Sequence, residues 1–391
     1  MSQGRKFCFL RDCLARQKSP ACHSEPKAKN PRSVLSVAKN LSSFTTFRTS
    51  LRLPPQDDIR IRSLKRALVF SAAMLLVPFT AFSQTKPLKQ IYVGVSSVSM
   101  GNIIIYVTKE AKLFEKYGLY ADPVAMRGSG ESSKAMIGGS IQVAPIATPT
   151  VINADLSGAD LVILSHTLPG VIHAMIVKPE IKRVEDLKGK KIGVTTFGSL
   201  TDFLVRHMLR KKGLNPDRDV ALIQIGGDPE RIGALKQGTI DAASLSFPGY
   251  GIAMKMGFPM LWDSSKEIDY PWIEITTRRS IIQKDRDMMT NYMKAYMEAT
   301  ALFKRDREFS KKVIKKILRL DNEELLNESY DLFAKAFLQT PYPNTVGMKT
   351  SFEYIAATRP EIWNHKPEEF TDKSFIEELD KTGFIKKLYE K

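Results

Sequence analysis

The chain has 391 residues, a formal net charge of +17, and an ordinary balance of 43% hydrophobic and 26% charged residues. This composition excludes a wholly disordered chain, a collagen, a coiled coil and a polytopic membrane protein, and the length predicts two or three domains. The positive charge would suit a nucleic-acid or membrane partner, but residues 1–83 alone hold 15 Lys and Arg against four Asp and Glu. The three cysteines, Cys8, Cys13 and Cys22, lie in the same stretch. The rest of the chain therefore has no thiol for a disulfide, a metal site or a nucleophile.

A secretory signal peptide is predicted over residues 60–83. Four basic residues between positions 60 and 66 precede an apolar run from Ala67 to Phe82, and small residues allow cleavage near Ser83-Gln84. The run is short for a transmembrane helix and is interrupted by proline, although an uncleaved anchor is the alternative interpretation. The signal peptide predicts an exported protein. We also expect no nucleic-acid partner, because residues 84–391 carry only 44 Lys and Arg against 38 Asp and Glu.

Residues 1–59 precede this signal and show little periodic apolar pattern. Three interpretations are open: a disordered basic arm, a metal-binding cluster of Cys8, Cys13, Cys22 and His23, or a start assigned upstream of the natural one. We favour the third, with the natural start near residues 51–64. Detection of peptides from residues 1–50 in the native protein would contradict it.

Strands and helices are predicted to alternate after the signal peptide. Apolar runs over 91–95, 122–126 and 141–146 predict strands, and the patterns over 103–117 and 131–138 predict helices between them. This β-α-β-α-β order is typical of a parallel sheet in an α/β protein.

The same series recurs 99 positions later in the chain. Two similar α/β lobes are the simplest explanation, with lobe one formed by 88–177 plus 270–391 and lobe two by 178–269. Strands near 171–178 and 270–283 would cross between the lobes, and the helices that follow would pack on lobe one. The repeated landmarks are Gly94 and Gly193, Gly128 and Gly227, and Pro149 and Pro248.

Ser, Thr and Gly dominate the loops that follow the predicted strands. In open α/β sheets the ligand lies beyond the carboxyl ends of the strands, which would bring these loops around one cleft. Hydroxyls and the free N–H groups of helix starts suit an anion, whereas ordinary caps and turns explain any single loop as well. The convergence of all of them favours a binding cleft. The loops are Ser96–Asn102, Gly128–Ser132, Ala147–Thr150, Thr195–Thr201, Gly226–Asp228 and Ser244–Tyr250.

Catalytic, nucleotide and metal motifs are not found in the sequence. The chain has no Walker A, zinc-protease or nucleophile-elbow motif, and its histidines lack metal-ligand spacing. The candidate acid–base residues of the cleft are Glu131 and Asp228, and both are explained as helix-start residues, with Asp228 capping a helix that begins at Pro229. Trp262 and Trp272 are expected in the core. We therefore expect no catalytic residue, metal or cofactor.

Three features between residues 90 and 340 are typical of one known family. The first helix ends in Lys112–Leu119, G-x-I-x-x-A occurs twice, and Val184–Val194 leads through a short polar turn into a long helix. The chain thereby resembles the ABC-transporter solute-binding proteins of the sulfonate/nitrate/taurine type, a family that also contains thiamine-pyrimidine-precursor proteins. The resemblance implies an α/β protein of the type II periplasmic-binding fold, with two lobes, two crossover strands and a central cleft that closes by hinge motion.

The resemblance also implies a function. It implies a periplasmic, monomeric, non-enzymatic protein that captures a small polar or anionic organic solute and delivers it to an inner-membrane ABC permease. The alternatives are an enzyme on the same fold in thiamine or menaquinone precursor synthesis, although the cysteine-rich motif of the pyrimidine-synthesising branch is absent, or a membrane-tethered sensor ectodomain. The positions that correspond to the family's pocket are Ser96, Ser97, Met100, Gly101, Asn102, Ser129, Thr148, Gly198, Ser199, Thr201, Gly227, Ser244 and Ser246.

Overall fold

The structure, a computed structural model, describes residues 87–390, so the predicted leader, the signal peptide and the cysteines lie outside the described residues. Strands and helices alternate through this part of the chain. Its strands are β1 (Lys89–Val95), β2 (Leu119–Ala125), β3 (Ala144–Pro145), β4 (Leu161–Leu168), β5 (His173–Val177), β6 (Lys191–Val194), β7 (Ala221–Gln224), β8 (Ala242–Ser246), β9 (Met260–Asp263) and β10 (Trp272–Arg278). Its helices are α1 (Ile103–Glu110), α2 (Leu113–Lys116), α3 (Ser129–Ile137), α4 (Thr148–Asp155), α5 (Leu200–Lys211), α6 (Asp228–Lys236), α7 (Gly249–Lys255), α8 (Arg279–Lys284), α9 (Arg286–Arg305), α10 (Arg307–Leu318), α11 (Glu323–Ala336), α12 (Lys349–Ala356), α13 (Ser374–Lys381) and α14 (Phe384–Tyr389).

The strands form two layers with the same order. In the first layer β2 pairs with β1, a parallel bridge between Val93 and Val143 links β1 to the β3 segment, and β10 lies antiparallel between β3 and β4. In the second layer the order is β7-β6-β8-β5-β9, with β5 antiparallel to both of its neighbours. We call the first layer and its helices lobe one and the second layer and its helices lobe two. This is the two-lobed α/β architecture that the sequence predicts.

Equivalent glycines in the two lobes explain the 99-residue repeat. Gly94 on β1 and Gly193 on β6 both face the segment that leads into the third strand of their own sheet. A β-carbon on Gly94 would lie 2.6 Å from Ile141 Cδ1, and one on Gly193 would lie 2.7 Å from Ile240 Cδ1. Both glycines therefore stand at the same close approach, and the two isoleucines are also 99 positions apart.

The crossing between the lobes is shorter than the sequence indicates. The sequence predicts a crossing strand over 171–178 and an end of lobe one at 177. In the structure all of β5 belongs to the second sheet, where His173 lies opposite Ser246, so the chain crosses over residues 169–172. The returning strand is β10, which ends at Arg278 because α8 begins at Arg279, whereas the prediction extended it to 283. An apolar run identifies a strand, but it does not tell which sheet the strand joins.

Two predicted elements of lobe one are interrupted. The helix predicted over 103–117 is two helices, α1 and α2, separated at Lys112, whose backbone is left-handed with φ of 54°. The strand predicted over 141–146 is reduced to β3 and the bridge at Val143.

The predicted helix from Asn322 to Phe337 is close to α11. The Asn322 side chain caps this helix by accepting a hydrogen bond from the Leu325 backbone N–H.

The helices of the carboxyl-terminal third cover lobe one. Helix α9 buries an apolar face, which includes Met289, Tyr292 and Tyr296, and packs against α1 and α2. Helix α12 packs on α4, and α13 packs on β4. Helix α11 also reaches lobe two, where Lys255 pairs with Glu324. Across residues 87–390, no helix has the length and apolar character needed to cross a bilayer.

Candidate functional site

A cavity lies between the two lobes, beyond the carboxyl ends of their parallel strands. Its inner part, the inner cavity, has a volume of about 50 Å³ and is lined by β-strand ends and helix starts of both lobes. It continues into an open outer groove of about 1280 Å³, which shares Ser96, Ser97 and Ser246 with it. The inner cavity has room for a small polar group, and the outer groove forms a wider entrance from solvent.

The structure brings most of the predicted site residues to this place. Gly227 lines the outer groove. Five others line neither space: Met100 is in the core, Gly101 packs against Trp272, and Thr148, Gly198 and Ser244 are engaged in contacts within or between the lobes. The predicted residues that line the inner cavity are Ser96, Ser97, Asn102, Ser129, Ser199, Thr201 and Ser246.

The first loop of lobe one is held in shape by Asn102. Its Nδ2 donates to the Ser97 carbonyl oxygen (2.8 Å), and this bond fixes which end of the amide is the donor. The Ser97 and Ser99 hydroxyls lie 3.1 Å apart. Ser129, at the start of α3, accepts a bond from the Ala147 backbone N–H (3.0 Å). These bonds hold the hydroxyls of two separate loops against one cavity, with the Ala147 backbone of a third loop beside them.

A chain of hydroxyls forms the opposite wall on lobe two. The Thr201 hydroxyl donates to Thr195 Oγ1 (3.0 Å), and Ser199 Oγ lies 3.1 Å from Thr201 Oγ1. Arg231 Nη1 also donates to Thr195 Oγ1 (2.8 Å). Because Thr195 Oγ1 already accepts two bonds, its own hydrogen is left to donate to a bound group.

Arg231 and Asp228 form a buried ion pair behind this wall. Arg231 donates to Asp228 and to the Gly226 carbonyl oxygen, and its Nε has no partner among the described residues. Asp228 also accepts bonds from the backbone N–H (3.1 Å) and the hydroxyl (2.5 Å) of Ser246. The prediction that Asp228 caps a helix is wrong, since Gly227 is the cap and Asp228 is the first helical residue. Its carboxylate instead holds Arg231 in place.

Glu274 on β10 lies in the cavity wall of lobe one. Its Oε1 accepts bonds from the Thr148 backbone N–H (2.9 Å), the Thr148 hydroxyl (2.9 Å) and the Tyr270 hydroxyl (2.9 Å). His166 Nδ1 accepts from the Asn344 backbone N–H, so its Nε2 carries the hydrogen and donates to Thr148 Oγ1 (3.2 Å). Burial raises the pKa of Glu274 to about 7 and lowers the pKa of His166 to about 3.

Trp272, Ile273 and Glu274 all line the inner cavity although they are consecutive in one strand. A regular strand would turn alternate side chains to opposite faces. Ile273 has φ of 58°, a left-handed conformation that is rare for a β-branched residue, and it breaks this alternation. Trp272 is buried, as the sequence predicts, but it also forms part of the cavity wall and meets the His173 ring edge-on, with 4.8 Å between the ring centroids.

His173 on β5 is a further wall residue that the sequence did not single out. Burial first, and then the charge of Arg231, lowers the pKa of His173 to about 3, so its ring is neutral at physiological pH. Glu274 and Arg231 were also missed, because an isolated charged residue in an apolar or helical pattern gives no signal of what it faces. Within residues 87–390, no three His, Cys, Asp or Glu side chains are grouped as a metal site would require.

The lobes contact each other along one side of the cavity. The Thr150 hydroxyl of α4 donates to the Gly198 carbonyl oxygen of lobe two (2.6 Å). At the start of α3, a β-carbon on Gly128 would lie 2.6 Å from Thr196 Oγ1. The absence of a side chain at Gly128, whose φ is 112°, therefore allows the Thr196 side chain of lobe two to approach the backbone of lobe one.

Four helices begin at the inner cavity. They are α3 after Gly128, α4 after Ala147, α5 after Ser199 and α6 after Gly227, and none of these caps makes a side-chain hydrogen bond to its helix. The first-turn N–H groups of a helix have no intrahelical acceptor and carry a partial positive charge. The cavity therefore combines hydroxyl donors, helix starts and one buried guanidinium.

Comparison with known proteins agrees with this geometry. Residues 84–318 match the sequence profile of the NMT1-like family. The chain belongs to this family. A Brucella abortus (strain 2308) protein that is named as a binding protein is 27% identical over 269 residues, which cover 67% of this chain and 81% of that protein.

Solved structures place the NMT1-like chain in the type II periplasmic-binding fold. The alkanesulfonate-binding protein SsuA from Xanthomonas axonopodis pv. citri, bound to MOPS, is 18% identical with a TM-score of 0.60, over 73% of this chain and 99% of that one. The periplasmic nitrate-binding protein NrtA from Synechocystis PCC 6803 is 14% identical with a TM-score of 0.63, over 75% of this chain and 89% of that one. Fold and family thus agree with the resemblance that the sequence carries.

Proposed function

We propose that this NMT1-like protein is the periplasmic solute-binding component of an ABC importer and captures a small polar or anionic organic solute between its lobes. The observation that carries the proposal is the inner cavity, where hydroxyls and helix starts from both lobes face one small space. The names of the relatives, which describe sulfonate, nitrate and unspecified binding proteins, support the same class of function.

The chemistry of the wall suits reversible capture of an acid group. Hydroxyls such as those of Ser97, Ser199 and Thr195 donate hydrogen bonds without adding net charge. The helix starts add partial positive charge, which favours sulfonate, carboxylate or phosphate oxygens. A site assembled from two lobes binds by closing on its solute and releases it by opening, which is what delivery to a permease requires.

The proposal includes no chemical turnover. The Asp228 carboxylate is occupied by Arg231 and Ser246, and the neutral rings of His166 and His173 are buried. Glu131, the other candidate acid–base residue, accepts a bond from the Arg127 backbone N–H (2.6 Å) at the start of α3. The hydroxyls that contact Asp228 and His166, those of Ser246 and Thr148, each donate to a carboxylate, Asp228 and Glu274 respectively.

Calorimetric titration of the full chain against a panel of small solutes tests the proposal. The panel contains taurine, simple alkanesulfonates, nitrate, small carboxylates and aminopyrimidines, and each compound is analysed by mass spectrometry after incubation. We expect at least one compound to bind with one site per chain and to be recovered unchanged. Chemical conversion of the bound compound, or no binding by any member at millimolar concentration, would contradict the proposal.

A further inference from the structure

Glu274 is a buried carboxylate with no cationic partner in the chain. Only 2% of its surface is exposed, and it lies in the wall of the inner cavity. Its three donors, two from Thr148 and one from Tyr270, are all neutral groups. No Lys or Arg among residues 87–390 pairs with it. Buried carboxylates are usually paired, because removing their charge from water is costly, so the missing charge is expected from outside the chain.

The other charges of the cavity wall balance each other. Arg231 and Asp228 form an ion pair, and His173 is neutral because burial holds its pKa at about 3. An ionised Glu274 therefore leaves one uncompensated negative charge, and this charge lies on lobe one. A solute that carried only an acid group would meet repulsion there, whereas a solute cation would be attracted.

Further donors for an acid group lie on the other lobe. Thr195 has a hydroxyl hydrogen to donate, Arg231 has an unpartnered Nε, and α5 begins at this wall. The cavity thus has an uncompensated carboxylate on lobe one and a set of donors facing it on lobe two, although hydroxyls line both lobes. A molecule that carries both charges would connect the carboxylate and these donors as the lobes close on it.

We propose that Glu274 determines the solute class by binding a cationic nitrogen, so that the site takes small zwitterions whose acid group lies against Thr195 and the start of α5. This inference rests on the proposed solute-binding function and names its substrate class. Burial raises the pKa of Glu274 to about 7, so a bound cation would shift this carboxyl towards its ionised form.

The competing explanation is that Glu274 only connects β10 to the start of α4. Both roles use the same three hydrogen bonds, so loss of the side chain would not separate them. The Glu274→Gln variant separates the two roles, because its amide oxygen can accept the same three hydrogen bonds but carries no negative charge. The readout is a ratio of affinities for two ligands, which a purely structural role would leave unchanged.

Taurine and ethanesulfonate are the matched probes, since they differ by one amino group on the same sulfonate. We expect calorimetry on the full chain to show taurine binding at least about tenfold more tightly than ethanesulfonate, in line with a charge-assisted hydrogen bond. We expect E274Q to bring the two affinities within about twofold of each other. The control Glu308→Gln removes an exposed carboxylate of α10 and should keep the wild-type ratio.

An equal affinity of the wild type for the two sulfonates would overturn the inference, as would an unchanged preference in E274Q. The wild-type ratio needs no variant, so the inference is tested even if E274Q fails to fold. If neither sulfonate binds, β-alanine and propionate form the same comparison on a carboxylate. Failure of both pairs while another panel compound binds overturns the zwitterion inference alone, whereas no binding by any compound contradicts the proposed function.

Discussion

Among single residues, Asp228 and Arg231 connect two elements of lobe two that meet at the cavity. The ion pair ties the start of α6 to the end of β8, because Asp228 also accepts both bonds from Ser246. Arg231 is 2% exposed and bonds to Thr195 in the cavity wall. A buried guanidinium that loses its counter-charge is strongly destabilising, since it keeps its charge at any accessible pH.

We therefore expect Asp228→Asn to lower the free energy of unfolding by about 3–5 kcal/mol. The control Asp122→Asn removes the exposed partner of Lys109 and should change the unfolding free energy by less than about 1 kcal/mol. Urea denaturation followed by circular dichroism measures both. Equal effects of the two substitutions would show that the buried pair does not stabilise lobe two.

Glu274 should impose its own pH dependence on stability. Its pKa is about 7 in the folded protein, against 4.5 as the ordinary value, so between these values the folded state holds a proton that the unfolded state has released. Stability from this group is therefore lost as the pH rises from 4.5 to 7. E274Q lacks this dependence, so the stability of the wild type should fall relative to E274Q by roughly 1 kcal/mol per pH unit across that window. Parallel stability curves of the two proteins would contradict the raised pKa.

Among the strands and helices, the equivalent strands of the two lobes show which parts of the structure can be predicted from the sequence. The 99-residue repeat predicts both sheets because the same close approach recurs at Gly94 and at Gly193, and such a requirement is visible in sequence. The wall formed by β10 is different. Its exposure of Ile273 to the same cavity as Trp272 and Glu274 depends on the left-handed backbone of Ile273, which no residue pattern indicates. The hydroxyl loops could therefore be predicted, whereas the charged wall could not.

The two glycines should differ in their tolerance of a methyl group. In Gly193→Ala the new β-carbon meets only the flexible end of Ile240 within 3 Å, whereas in Gly94→Ala it also meets Ala144 Cβ at 2.9 Å. We expect Gly94→Ala to lower the melting temperature more than Gly193→Ala, with overpacking costing about 1–3 kcal/mol. Shortening the obstructing side chain, in the double variant Gly193→Ala with Ile240→Val, should restore much of the loss. A larger effect at Gly193, or no recovery in the double variant, would contradict this packing explanation.

In the molecule as a whole, the two lobes contact each other through a small set of polar and backbone contacts. The bond from Thr150 to the Gly198 carbonyl oxygen lies beside the cavity and connects α4 to the loop before α5. The proposed function requires the lobes to close on the solute, and a contact of this kind would stabilise that closed arrangement. Solute affinity should therefore depend on it, because a solute that binds both lobes prefers the closed state.

We expect Thr150→Val to weaken binding of the tightest panel compound about threefold to tenfold, the effect of one hydrogen bond, while the melting temperature changes little. The matched control is Thr300→Val, which removes a hydroxyl that bonds only to Tyr296 within α9. Calorimetry on both variants measures the affinities. Equal affinity losses in the two variants would show that the Thr150 bond has no special role in closure.

The central claim, that the solute binds in the cavity between the lobes, is tested most directly by blocking that cavity. Ser96 lines both the inner cavity and the outer groove and makes no side-chain hydrogen bond in the described structure. Ser140, which is exposed in the turn after α3, is the control position. We predict that calorimetry with the tightest panel compound detects one site per chain in the wild type and in Ser140→Trp, and no binding in a folded Ser96→Trp variant. Binding of that compound to Ser96→Trp with wild-type affinity would contradict the claim.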